Sequence, residues 1–242
     1  MIYRAQLKQE AKGILSRARV SPYVLAFVFL ALTFMLDTAG AYTSGSYVKA
    51  LEQYFPETMI PAFLLRPISL SPMTITFIGV ITMLLSQVLQ AGWCLYHLGI
   101  RRGREMPYST LFDGFSVAGR VILLVVLETA FVLLWSFLFV IPGIVAAYRY
   151  RYALYNLLED PALSPLEAIR MSKAQTYGYK LDLFVLDLSF LGWGILCGLT
   201  LGILSIWLAP YMVQTDVGAF EAIKTAKGIG AGLREDPPVT ES

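Results

Sequence analysis

Leu134 to Pro161 reads LWSFLFVIPGIVAAYRYRYALYNLLEDP, and how often this stretch crosses a membrane decides the fold. Its first half is apolar enough to span a bilayer, Pro142-Gly143 interrupts it, and beyond lie Arg149 and Arg151 among Tyr148, Tyr150, Tyr152 and Tyr155. Joined to the apolar run that begins near Gly119, one helix reaching Leu158 would be about 60 Å long at about 1.5 Å per residue, twice what a hydrocarbon core of about 30 Å needs. Lys/Arg-rich flanks on both sides require an even number of crossings. The stretch therefore reads as a hairpin, with a third span from Gly119 to Ile141, a tight external turn at Pro142-Gly143, and a fourth span from Gly143 to about Leu158.

Composition points the same way. Hydrophobic residues make up 57% of the chain and charged residues 15%, and the mean hydropathy is +0.62, which excludes an ordinary soluble globular domain. The net charge of +2, with cations gathered between apolar segments, gives no reason to expect a nucleic-acid partner. A single histidine and two cysteines in apolar runs, Cys94 and Cys197, supply no metal set and read as buried small hydrophobes rather than a disulfide.

Upstream, Arg4, Lys8, Lys12, Arg17 and Arg19 alternate with Ile2, Leu7, Ala11, Ile14 and Leu15 at roughly helical spacing. Residues 1–20 thus read as a basic amphipathic helix on the cytoplasmic membrane surface, or, since Gly13 weakens a helix, as a solvated N-terminus; anionic headgroups suit either. The first apolar run opens at Pro22 and continues through Leu36; Ala39-Gly40-Ala41 has the small-x-small form of a signal cleavage site, but the long basic lead favours an uncleaved first transmembrane helix. Tyr42 to Ser71 is the long external loop, with a short amphipathic helix expected over 46–55. The second span runs from Met73 to Leu98, and in it Gln87, Gln90, Cys94 and His97 share one helix face. That face suits interhelical hydrogen bonds or a wet, ligand-facing stripe. Arg101, Arg102, Arg104 and Arg120 make the next loop cytoplasmic, with RRGRE as a topology anchor and a short helix starting over 110–113.

Downstream, Ser164-Pro165-Leu166-Glu167 is a capping box that starts a cytoplasmic amphipathic helix, stopped at Gly178, with Leu166, Ile169 and Met171 as its apolar contacts. Asp182 to Phe220 holds the fifth and sixth spans, turned between Gly198 and Gly202, although Gly194, Gly198 and Gly202 also have the spacing of a helix-packing face. Pro210 interrupts the sixth span, and Lys224, Lys227 and Arg234 place the C-terminus in the cytoplasm.

The combination of IPGI at 141–144, Glu167-Ala168-Ile169 to Ser172, Gly178, Lys180, DLSFLGW at 187–193, and Pro210-Tyr211 with Thr215 resembles the domain of unknown function 975 family of bacterial membrane proteins. The likeness is densest from Gly114 to Phe220; Ala219-Phe220 stands where that family tends to carry Phe-Tyr. It implies a bacterial cytoplasmic membrane and a single six-helix domain, and no reaction.

The expected fold is all-α: a polytopic membrane helix bundle of six transmembrane helices in three hairpins plus the N-terminal and cytoplasmic amphipathic helices. One integral membrane domain covers 1–242, with the interfacial helix at 1–20, the bundle at 22–225 and a flexible cytoplasmic tail at 226–242. Ionisable side chains near a bilayer centre cost at least about 2.5–3.5 kcal/mol, so Glu128, Asp187, Arg149 and Arg151 are expected to face one another. An axial offset of about 8 to 10 Å leaves a Glu128–Arg151 bridge feasible but not compelled, with cation–π packing of Arg149 on Trp135 as the rival. The function expected is binding or transport of a small anion or lipid headgroup by Arg149 and Arg151, with Glu128, Asp187, Gln87, Gln90, His97, Tyr148, Tyr152 and Trp135 around them. The alternative is a scaffold or accessory subunit with a purely structural charge cluster, docking a protein partner or a second copy. No enzyme chemistry, cofactor or metal is expected.

Overall fold

The computed structural model of the chain describes residues 3–44, 53 and 70–230, and the regular structure among them is entirely helical. In order the helices are α1 (Arg4–Arg17), α2 (Pro22–Ser44), α3 (Pro72–Arg101), α4 (Thr110–Asp113) running through a 3-10 turn (Gly114–Val117) into α5 (Ala118–Leu138), α6 (Val140–Tyr150), α7 (Ala153–Glu159), α8 (Pro165–Thr176), α9 (Lys180–Leu188), α10 (Leu191–Leu199) and α11 (Ser205–Lys227). Two compact units result, one of residues 1–26 with 88–242 and one of residues 27–87. In the second, Thr33 and Thr38 turn their hydroxyls back onto their own helix carbonyls, and Phe34, Met35, Met73 and Phe77 stand outward, as side chains facing hydrocarbon would. The helix expected over 46–55 lies outside the described residues.

Four stretches are long and apolar enough to cross a membrane: Pro22–Ala41, Pro72–Arg101, Thr110–Phe137 and Lys180–Leu199. Six were expected, and the two that fall short do so for different reasons. The fourth is divided: α6 has 11 residues, about 16 Å at about 1.5 Å per residue, before the chain breaks at Arg151-Tyr152. The sixth, α11, is 23 residues long, but Gln214, Asp216, Glu221, Lys224 and Lys227 lower its hydropathy.

The α5–α6 hairpin is present, but it turns at Phe139 rather than at Pro142-Gly143. Phe139 is the extended residue (φ −165°, ψ 157°) between the two helices. Pro142 sits in the first turn of α6, where a missing N–H costs no intrahelical bond. Gly143 is already inside the helix, buried against α5, and a Cβ there would stand 2.2 Å from Ser136 Oγ. The second turn, expected between Gly198 and Gly202, lies slightly later, at Thr200 to Leu204, with Leu201 and Gly202 at φ 52° and 85° and Gly198 still in the helix. Gly194 and Gly198 have nothing within 4 Å of a built Cβ, so they form no close packing face among the described residues.

The capping box of α8 forms as read: Ser164 Oγ accepts from Glu167 N–H, and the Glu167 carboxylate accepts from Ser164 N–H. Those bonds from Ser164 hold the Glu167 carboxyl below its ordinary range. The helix ends at Thr176, and Gly178 takes the left-handed conformation (φ 86°) that a Cβ would strain. Its contacts differ from expectation. Leu166 is exposed, whereas Ala168, Ile169, Ser172, Gln175 and Thr176 are buried, the first two against Val121, Leu124 and Leu157. The helix is thus packed on protein by a face that is half polar.

The N-terminal helix is corrected in the same sense. Leu7, Ala11 and Leu15 are buried, and α1 packs along α11, where Leu7 joins Val217, Phe220 and Ile223. Lys8 reaches across to donate to the Ser189 carbonyl (3.2 Å) while lying 4.0 Å above the Phe190 ring, and burial lowers its pKa. RRGRE does more than mark a side of the membrane. Arg101 pairs with Glu10 of α1 and Glu221 of α11, and Arg102 pairs with Glu159, whose other oxygen holds Lys224 at 2.8 Å. Of the tail expected at 226–242, residues 226 and 227 belong to α11, where Lys227 caps the end of α8 by donating to the Ala174 and Tyr177 carbonyls, and residues 231–242 lie outside the described residues.

Candidate functional site

The site begins with a fault in a helix. Between α6 and α7 the backbone leaves the helical ladder at Arg151-Tyr152, and the freed groups find partners on α8. Ser172 Oγ accepts from Tyr152 N–H (3.1 Å) and donates to the Arg149 carbonyl (3.0 Å), and Thr176 Oγ1, one turn on, donates to the same carbonyl (3.2 Å). Ser172 and Thr176 are both fully buried, so these are the bonds that make a broken helix tolerable inside a packed bundle. Asn156 and Gln175 lock the next turn by exchanging two amide hydrogen bonds of 2.8 and 2.9 Å. Ser172→Ala is accordingly expected to cost about 1–3 kcal/mol, because it orphans a buried N–H. A lowered thermal midpoint of the purified protein checks this, with Ser116→Ala, at an exposed position, as the silent control.

The break aims Arg151 at two carboxylates. Its Nη1 and Nη2 donate to the two oxygens of Asp187 at 2.6 and 2.9 Å, and its Nε donates to Asp216 Oδ1 at 2.8 Å. Three tyrosines complete the shell: Tyr148 donates to Asp187 (2.7 Å), Tyr155 to Asp216 (3.0 Å), and the buried Tyr152 lies 3.5 Å from Asp216. One guanidinium against two carboxylates leaves an ionised cluster one negative charge in excess.

Among the described residues Glu128 has no ion pair, and the bridge to Arg151 is not formed. Both instead line a cavity of about 350 Å³ between α5 and α6, walled by Thr129, Val132, Leu133 and Ala147. Arg149 takes the rival arrangement: its Cζ lies 5.6 Å from the centre of the Trp135 ring, and it has no carboxylate partner among the described residues. The expectation that Arg149 and Arg151 jointly receive an anion changes here, since the forked edge of Arg151 is closed by Asp187 and its Nε by Asp216.

The polar face of α3 meets protein. His97 and Gln214 are fully buried and joined through Nδ1 and Oε1 at 3.0 Å, Gln90 Nε2 approaches Cys94 Sγ at 3.8 Å, and Cys94 packs in the cluster that holds Tyr152 and Tyr155. The His97–Gln214 bond joins α3 to α11, while the Gln90–Cys94 contact stays within α3. Gln87 belongs to the other compact unit. Sequence reasoning passes over Asp216, although its signal is the one that marks Asp187, an acid in the apolar run from Ser205 to Phe220.

Residues 137–227 match the model of a family described as a protein of unknown function (DUF975), so the resemblance holds over this segment. No curated protein and no solved structure matches the chain. The matched segment contains Arg151, Asp187, Asp216 and all three tyrosines, whereas Glu128 lies before it.

Proposed function

Because the family matched over residues 137–227 has no assigned function, we propose from the site alone that the chain is a six-crossing membrane protein binding an amine-bearing amphiphile in the cleft between α5 and α6. The two crossings beyond the four long apolar helices are α6 with α7, and α11. Arg151 is held by Asp187 and Asp216, and Gln214 by His97, so polar groups within these helices have protein partners, which makes short or polar crossings feasible. Arginines and lysines at Arg17, Arg19, Arg101, Arg102, Arg120, Lys173 and Lys227 support a topology with both termini on the cytoplasmic face of a bacterial membrane.

The observation that carries the reading is the cavity lined by Glu128 and Arg151. Glu128 is the acid that lines it, and the Arg151 guanidinium beside it is already taken up by Asp187 and Asp216, so the cleft favours a cation over the anion first expected. Leu133 is 54% exposed and the α5–α6 flank is otherwise apolar, which suits a ligand that enters sideways with its chain in lipid. The test is a thermal-stability titration of the purified protein with a single-chain alkylammonium and with a neutral glycoside of the same chain length. The alkylammonium is expected to stabilise the wild type beyond the glycoside and to lose that advantage with Glu128→Gln. Equal responses to the two amphiphiles, or an undiminished response in the variant, would remove the binding reading. The second reading, a scaffold, is favoured by the closure of Arg151 onto two carboxylates, and it is what those negative results would leave.

A further inference from the structure

A second cavity, also of about 350 Å³, lies where α1 hands over to α2 and is lined by Arg17, Arg19, Arg101, Arg104 and Glu105. The charges do not cancel. Arg19 pairs with Glu105, and Arg101 is held by Glu10 and Glu221, but neither Arg17 nor Arg104 has a carboxylate partner among the described residues. Arg101 is a fixed wall rather than a surface side chain, since it is only 10% exposed and its Nη1 is buried with no partner among the described residues. The opposite wall is pinned as well. The hydroxyl of Tyr96, a fully buried residue of α3, donates to the Val20 carbonyl at 2.7 Å, which fastens the α1–α2 link over the end of α3.

The height of the cavity matters as much as its charge. One long apolar stretch begins at Pro22 and another ends at Arg101, so the cavity sits at the boundary of two candidate crossings, where leaflet phosphates lie. Ile14, Val20 and Ile100 give it an apolar floor on the side of those helices. The packing of α1 also bears on this: its apolar face is spent on α11, so the helix is held by protein and presents Arg17 as a fixed cation.

We infer that this cavity binds a phosphate monoanion or diester, positioned by Arg17 and Arg104 against the immobile Arg101, with an anionic phospholipid headgroup as the source that its height and apolar floor favour. The inference is independent of the Glu128 cleft, and its failure would leave that reading untouched. The test uses the full chain in nanodiscs of mixed phosphatidylglycerol and phosphatidylcholine, with native mass spectrometry of the phosphatidylglycerol retained on release. Arg17→Gln/Arg104→Gln is expected to weaken retention about twenty-five-fold, each arginine near the surface contributing about fivefold. Arg170→Gln/Lys173→Gln, a basic pair elsewhere on the chain, is expected to leave it unchanged. Equal retention in the wild type and the cavity variant, or equal loss in both variants, would overturn the inference. A parallel thermal titration with inorganic phosphate assigns the source: stabilisation that depends on Arg17 and Arg104 makes the site a general phosphate site, and none makes it a lipid site. Both cavity substitutions are at exposed positions, so an unchanged thermal midpoint verifies that the fold is intact.

Discussion

Replacing Arg151 by methionine is expected to destabilise the protein by about 2–4 kcal/mol, somewhat less than breaking a fully buried pair, because it leaves two part-buried carboxylates without their cation. Asp187 and Asp216 are drawn together by three hydrogen bonds from that one guanidinium. Without it, two like charges and the hydroxyls of Tyr148 and Tyr155 converge on an empty centre. The measurement is the unfolding midpoint in detergent, with helix content as the check that a folded state exists at all. Adding Asp187→Asn and Asp216→Asn to the methionine variant removes the stranded charges and is expected to restore much of the loss, since an apolar or neutral cluster can match an ionic one. Arg149→Met, which forfeits only packing over Trp135, is expected to cost about 1 kcal/mol. If the two arginine variants unfold alike, the cluster does not hold the bundle in the way its geometry indicates.

Gly92→Ala and Gly114→Ala should each prevent normal folding. A Cβ on Gly92 would stand 1.9 Å from the Leu111 carbonyl oxygen, and one on Gly114 would stand 2.2 Å from that of Val88. The backbone of α3 lies directly against that of α4 and the turn after it, at Gly92 against Leu111 and at Gly114 against Val88. Nothing flexible can yield, because the obstructing atoms are main chain, so the cost exceeds the about 1–3 kcal/mol usual for an added methyl group in a core. Expression as a monodisperse species in detergent gives the readout. Gly119→Ala, with nothing within 4 Å of its built Cβ, should behave as the wild type.

Local chemistry was legible in the sequence wherever it acts over a few residues. The Ser164–Glu167 box, the stop at Gly178 and the turn before Gly202 follow from side-chain caps and positive φ, which neighbours in sequence decide. What covers a face is another matter. The spacing of Leu7, Ala11 and Leu15 shows that they share a stripe, but the same stripe could rest on lipid or on α11, and the difference lies two hundred residues downstream. The same limit applies to Gly92, whose partner Leu111 is set by tertiary approach. In the candidate site, the pairing of Arg151 with Asp187 was open to inference from the expense of buried charge, while the exclusion of Glu128 was not, because a rise per residue gives depth and not azimuth. Asp216 was readable by the rule that marks Asp187; Pro210 and Thr215 nearby carry the family likeness and draw attention away from it.

The break between α6 and α7 sets an order on assembly. Residues 140–159 leave the ribosome before Ser172 and Thr176, which close the open backbone, and before Asp187 and Asp216, which neutralise Arg151. A newly made α5–α6 hairpin therefore carries an unsatisfied peptide group and a bare guanidinium, and it settles at full depth only as the last third of the chain arrives to receive them. Truncation after Tyr179 should thus leave Arg151 on the aqueous side, where a membrane-impermeant arginine reagent can reach it.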